Sequence, residues 1–121
     1  FVGHLQQPDS LMGLIAAARA KPGTLSYGSP GSGTLLHLTT ERLKTALGGV
    51  SLTHVPYRGS GPAMTDLLAG QIAMVVTTLG SALPFHSSGR ARLLAVATAQ
   101  RTALAPQVPT VSELLGGQPF E

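Results

Sequence analysis

The residues best suited to chemistry lie between Leu25 and Leu38. There a short apolar run meets Gly28-Ser29-Pro30-Gly31-Ser32-Gly33-Thr34 and opens into a helical pattern. A strand, a loop and a helix start in that order form an anion cradle. The first turn of a helix has unpaired N–H groups and a partial positive charge. Glycine lets a ligand come close to the backbone, and serine and threonine hydroxyls add donors.

The spacing excludes the commoner uses of such a loop. Gly28 and Gly33 have the span of a nucleotide phosphate loop, but Thr34 stands where that loop needs lysine. A dinucleotide fingerprint needs a third glycine near Leu36, and no Gly-x-Ser-x-Gly elbow occurs. The serines would be nucleophiles only with a base beside them. His37, one turn into the helix, is the candidate, and core packing is the reading preferred for its ring. His4, His37, His54 and His86 show no mutual i, i+4 spacing, so no metal site is expected. The acids Asp9, Glu41, Asp66, Glu113 and Glu121 are expected at helix starts, exposed faces or the terminus, with none paired for acid–base work. Asp66 is placed on the solvent face of its helix. No catalytic residue and no cofactor are assigned.

The elements that must position the loop follow from periodicity. Asp9 or Ser10 caps a first helix carrying Leu11, Leu14, Ile15 and Ala18 on one face, ended by Pro22-Gly23. Thr24–Tyr27 is expected as a strand. A second helix runs from about Thr34 to Leu47 with Leu36, Leu43 and Leu47 on one face. Ser51–Tyr57 is the next strand. Ser60 or Gly61 caps a short helix that turns Met64, Leu67 and Leu68 inward. Ile72–Thr77 is an apolar, buried strand, Ser81–Ser88 a helix start or single turn, and Arg92–Thr98 a fourth strand. Thr110-Val111-Ser112-Glu113 is a capping box. Strands alternating with helices predict an α/β, three-layer arrangement around a mostly parallel sheet. Ligands of such sheets sit beyond the carboxyl ends of the strands. Three loops occupy that edge, Gly28–Gly33, Arg58–Gly61 and Thr77–Ser81, and all are rich in Gly, Ser or Thr.

Composition fits one domain. The 121 residues are 43% hydrophobic and 11% charged, which argues against disorder. Only three Phe, two Tyr and no Trp are present, so Leu, Ala and Val must fill the core. The net charge of +3 reflects few acids rather than a basic cluster, and no aromatic platform interleaves the cations, which disfavours nucleic acid. Absence of cysteine excludes disulfides and thiolate metal sites. No apolar stretch reaches membrane-spanning length and no signal-like start precedes Phe1.

Four stretches resemble one family. Ala20-Lys21-Pro22-Gly23-Thr24-Leu25-Ser26-Tyr27-Gly28-Ser29 with Gly31-Ser32-Gly33 and His37-Leu38 is the first. His54-Val55-Pro56-Tyr57-Arg58-Gly59 with Pro62-Ala63, Asp66-Leu67-Leu68-Ala69-Gly70-Gln71 and Val108-Pro109-Thr110-Val111-Ser112-Glu113 follow in order. Together they resemble the tripartite tricarboxylate transporter solute receptors, also called Bug receptors. The resemblance implies a periplasmic, type II periplasmic-binding-protein-like receptor of two lobes that close over a small organic carboxylate. Such receptors hand the ligand to membrane permease subunits without catalysis. Residues 1–121 resemble the second lobe alone, with Phe1–Gly3 and Phe120–Glu121 as hinge crossings and the first lobe absent. Binding by one lobe is expected to be weak.

Carried over, Ser29, Gly31, Ser32, Gly33 and Thr34 are the expected carboxylate-contacting loop and helix start, with a turn and cap as the local alternative. Arg58, where relatives commonly have lysine, either clamps a carboxylate or braces the hinge or loop. Thr77 and Thr78 replace an acidic or amide pair and would meet the ligand's far end without charge. Ser81 is either a contact or a helix cap. Two rival readings are a ligand-sensing domain of the same fold and a small hydrolase or transferase using the loop as an oxyanion or phosphate cradle.

Overall fold

The computed structural model describes residues 1–4, 10–98 and 100–116. Asp9 as a helix cap and Phe120–Glu121 as a hinge crossing lie outside them. The chain runs β1 (Val2–Gly3), α1 (Leu11–Ala20), β2 (Ser26–Ser29), α2 (Leu35–Ala46), β3 (Thr53–Pro56), α3 (Ser60–Leu68), β4 (Met74–Val75), α4 (Leu79–Ser87), β5 (Arg92–Leu93) and α5 (Val111–Leu114).

The strands form one sheet in the order β3-β2-β4-β1-β5. β2 pairs in parallel with β3 and β4, as expected. The sheet nevertheless gains a fifth strand: Val2–Gly3 lies antiparallel between β4 and β5, with Val2 opposite both Val75 and Leu93. The strands expected over Ile72–Thr77 and Arg92–Thr98 shorten to two residues each. Their shared neighbour β1 offers only two residues to pair with. Beyond it the fourth stretch makes one parallel bridge, Val96 to Thr110.

Side-chain alternation divides the core into two layers. Met74 and Leu94 face the layer formed with Leu11, Leu14, Ile15 and Ala18 of α1 and Leu43 of α2. Val75 and Leu93 face the layer of Ala63, Met64 and Leu67 from α3 and Ala82 from α4. The helices therefore cover both faces.

Local chemistry sets the ends of the helices. Ser10, Thr34, Thr78 and Thr110 each accept a hydrogen bond from the third helical amide, and Thr110 with Glu113 completes the capping box. Thr78 starts α4 at Leu79, two residues earlier than expected. α3 begins after Gly59, at φ 106°, so Gly59 rather than Ser60 or Gly61 holds the cap position, with no side-chain cap bond. β2 starts and ends later than expected, so Gly28 and Ser29 belong to the strand rather than to a free loop. A Cβ at Gly28 would stand 2.8 Å from Ile72 Cδ1 and from the Tyr57 ring, so only glycine fits there.

Candidate functional site

The carboxyl edge of β2 is built from residues whose polar atoms are largely committed inward. Ser29 is fully buried. Its hydroxyl lies 2.6 Å from His54 Nε2 and donates to Gly31 O at 3.1 Å. The Gly33 amide donates to Nδ1 of His37 at 2.9 Å. Thr34 caps α2, accepting from the His37 amide and donating to Gly31 O at 2.7 Å. Buried Ser29 and exposed Gly33 thus each brace the loop through a histidine. The exposed Ser32 hydroxyl is spent on none of these bonds. The first-turn amides of Leu35 and Leu36 also have no acceptor within the helix.

The three loops expected to converge do so, and hydrogen bonds join them. The Tyr57 amide donates to Ser29 O at 2.9 Å and the Gly59 amide to Pro30 O at 3.0 Å. Ser60 Oγ and Thr77 Oγ1 are 2.5 Å apart. Thr78 accepts from the Ser81 amide and donates to Ser81 Oγ at 2.9 Å, so Ser81 joins the cap of α4. Arg58 is exposed on the middle loop and does not line the cleft described next.

That cleft, about 290 Å³, opens between the starts of α2 and α4. Leu36, Val76, Ala82, Leu93, Ala95 and Val96 contribute its apolar lining, and Thr77 and Thr78 stand at the α4 side. No acidic or basic side chain lines it. Leu35 also borders the cleft, although 79% of its surface is exposed.

Charge is gathered behind the loop instead, in a cluster sequence reasoning missed. The rings of His37 and His54 stack with centroids 3.8 Å apart. Glu41, one of the acids expected at helix starts or exposed faces, accepts from the Tyr27 hydroxyl and from Lys44 Nζ at 3.2 Å, and lies 4.0 Å from His37 Nε2. Lys44 also donates to Leu52 O at 2.9 Å. Burial opposes the charge on Glu41. The bonds from Tyr27 and Lys44 and the nearby positive charges still leave its carboxyl below the ordinary value. Burial, then the Glu41 bond, raises the Tyr27 phenol. Burial, then the neighbouring His37, lowers His54. The i, i+4 spacing of His37 and Glu41 was a visible signal for part of this cluster. Asp66 is likewise partnered, accepting from Tyr57 OH at 2.8 Å, and burial with that carboxylate pushes Tyr57 up to about 12.

Residues 6–119 match the model of the tripartite tricarboxylate transporter family receptor. The chain belongs to this receptor family. The UPF0065 protein in the gbd 5′ region of Cupriavidus necator is 46% identical over 100 residues, covering 83% of this chain and 30% of that protein. Protein BugT of Bordetella pertussis is 39% identical over 108 residues, covering 88% and 32%. The chain therefore spans about a third of the length of these curated relatives. A solved R. palustris protein with adipate superposes with a TM-score of 0.88 at 36% identity, over 99% of this chain and 40% of that one. MatC of Rhodopseudomonas palustris with bound malate gives 0.87 at 26% identity, over 98% and 41%. The mixed α/β fold of this receptor family accordingly extends across the described residues. No helix among them is long and apolar enough to cross a membrane.

Proposed function

We propose that this chain is the second lobe of a two-lobed periplasmic receptor. It binds a small organic carboxylate by closure against a first lobe outside this chain and passes it to membrane permease subunits. The observation that carries the reading is that three loops joined by hydrogen bonds meet at one sheet edge, beside a cleft lined by Leu35 and Leu36 of α2 and by Thr77, Thr78 and Leu79 at the start of α4. A carboxylate set at that edge meets the Ser32 hydroxyl and the Leu35 and Leu36 amides in the field of helix starts. Gly31 and Thr34 shape the turn, and Arg58 adds positive potential beside it. The relatives solved with adipate and malate support the same class of ligand.

Binding without catalysis is the better reading of the Ser29–His54 contact. The pair has the components of a nucleophile and a base, but Ser29 is fully buried, out of reach of a substrate carbonyl. The test is calorimetry of the full-length receptor carrying this segment against mono-, di- and tricarboxylates. Ser32→Ala is expected to weaken carboxylate binding by roughly 1.5–3 kcal/mol, the worth of a hydrogen bond to a charged group. Unchanged affinity in a Ser32→Ala, Thr34→Val double variant would remove the loop from the site. Ester turnover abolished by Ser32→Ala would overturn the receptor reading itself.

A further inference from the structure

The lining of the cleft specifies the body of the ligand as well as its head. We propose that the cleft takes a hydrocarbon chain or ring, so that the ligand is a carboxylate with an apolar body rather than a hydroxylated di- or tricarboxylate. This rests on the receptor reading above.

Leu36, Val76, Ala82, Ala95 and Val96 supply carbon surface only. The polar members of the lining are five threonines, and their hydroxyls are already engaged. Thr39 donates to Leu35 O at 2.8 Å, Thr98 to Gln100 O at 2.6 Å and Thr78 to Ser81 Oγ. Thr77 is paired with Ser60, and Thr102 accepts from the Leu104 amide at 3.2 Å. These side chains therefore present mainly methyl groups to the cleft. Among the five, Thr102 alone keeps its hydrogen clear of both a protein acceptor and a shared bond.

Away from the first turn of α4, a second carboxylate placed here would lose water and meet one free threonine hydrogen, that of Thr102, while the other threonine oxygens could only accept from a ligand hydroxyl. An unpaired buried polar group is costly, and an unpaired charge far more so. A methylene placed here gains instead. The head group is provided for at the rim, where the apolar lining passes through Leu36 and Leu35 directly into the start of α2. Charge is thus recognised at one end of the site and hydrocarbon at the other.

The experiment is calorimetry of the full-length receptor with acetate, butyrate and hexanoate, and with malate and citrate. Affinity should rise about fourfold per added methylene until the cleft is filled, as expected for burying CH₂ groups. The heat-capacity change should grow more negative along that series. Malate and citrate should bind at least about tenfold more weakly than butyrate, reflecting unpaired polar groups. Ala97→Leu, which narrows the cleft at a partly buried position, should weaken hexanoate and spare acetate. The wild-type series decides the matter whether or not that variant folds. Tighter binding of malate or citrate, with no gain along the monocarboxylates, overturns the apolar body and leaves the receptor reading standing. Binding of none of the five overturns both.

Discussion

The imidazoles of His37 and His54 lie face to face, 8° from parallel, and each holds part of the glycine loop. His37 accepts from the Gly33 amide through Nδ1, and His54 holds Ser29 through Nε2. One ring comes from the first turn of α2 and the other from β3, so the stack fixes the loop to both elements behind it. Two imidazolium ions cannot share that spacing without strong repulsion.

Stability should therefore fall with acidification. Burial and His37 set His54 below its ordinary value of 6.5, so the folded protein refuses a proton that the unfolded chain accepts. The contribution is complete above that ordinary value and is lost as pH falls through it toward the folded one. Urea midpoints of the wild type should hold above the ordinary 6.5 and drop as pH falls below it toward about pH 5. In His54→Gln, which keeps a polar tip for Ser29, this part of the slope should vanish. An equal slope in both proteins would show that the stack does not govern acid sensitivity.

Gly28→Ala tests the closest backbone approach under the site. Its methyl would meet Ile72 Cδ1 and the Tyr57 ring at 2.8 Å. Overpacking of this kind costs about 1–3 kcal/mol. Ile72→Val, which removes one of the opposing atoms, should recover part of the loss in the double variant, measured by urea denaturation.

Tyr27→Phe removes one donor from the Glu41 carboxylate and leaves Lys44 in place. A bond to a partly exposed carboxylate is worth about 1–2 kcal/mol, after allowing for solvent screening. The Glu41 carboxyl should titrate at higher pH in the variant. Its contribution, present above the ordinary 4.5 and lost on acidification through the lowered folded value, should shrink accordingly. Carbon-detected titration of Glu41 by NMR checks the direction.

Glu113 offers a control on the surface. Arg101, the Thr110 amide and the capping geometry hold its carboxyl at about 2. Arg101 Nη2 lies 2.8 Å from Oε1. In Arg101→Gln its NMR midpoint should move back toward the ordinary 4.5. A midpoint that stays low would assign the effect to the capping box alone.

Most of the frame was legible because it is local. Leu11, Leu14, Ile15 and Ala18 recur on one face, and all four are buried. Thr110 and Glu113 sit at capping-box spacing and form that box. The three loops were placed correctly at the carboxyl edge because the strand–loop–helix order alone determines it. What escaped is non-local. Two residues, Val2 and Gly3, carry no period that could announce a strand. His37 and His54 meet only through the packing of α2 on β3. The inward commitment of Ser29 depends on His54 and could not be read from the glycine pattern around it. Leu35 was the missed local signal: it lies off the Leu36–Leu43–Leu47 face, where an apolar side chain has no core to enter.

The short strand β1 has a kinetic consequence. β4 and β5 do not pair with one another, and Val2–Gly3 is what joins them. β2, β3 and β4 can assemble from nearby sequence, whereas β5 enters the sheet only after the far end of the chain has returned to its side. Contacts so distant in sequence raise contact order and slow folding. Until they form, β4 presents an unpaired edge, the kind of surface on which strands from other chains add. The interval before β1 inserts is thus the period in which this chain is most exposed to aggregation.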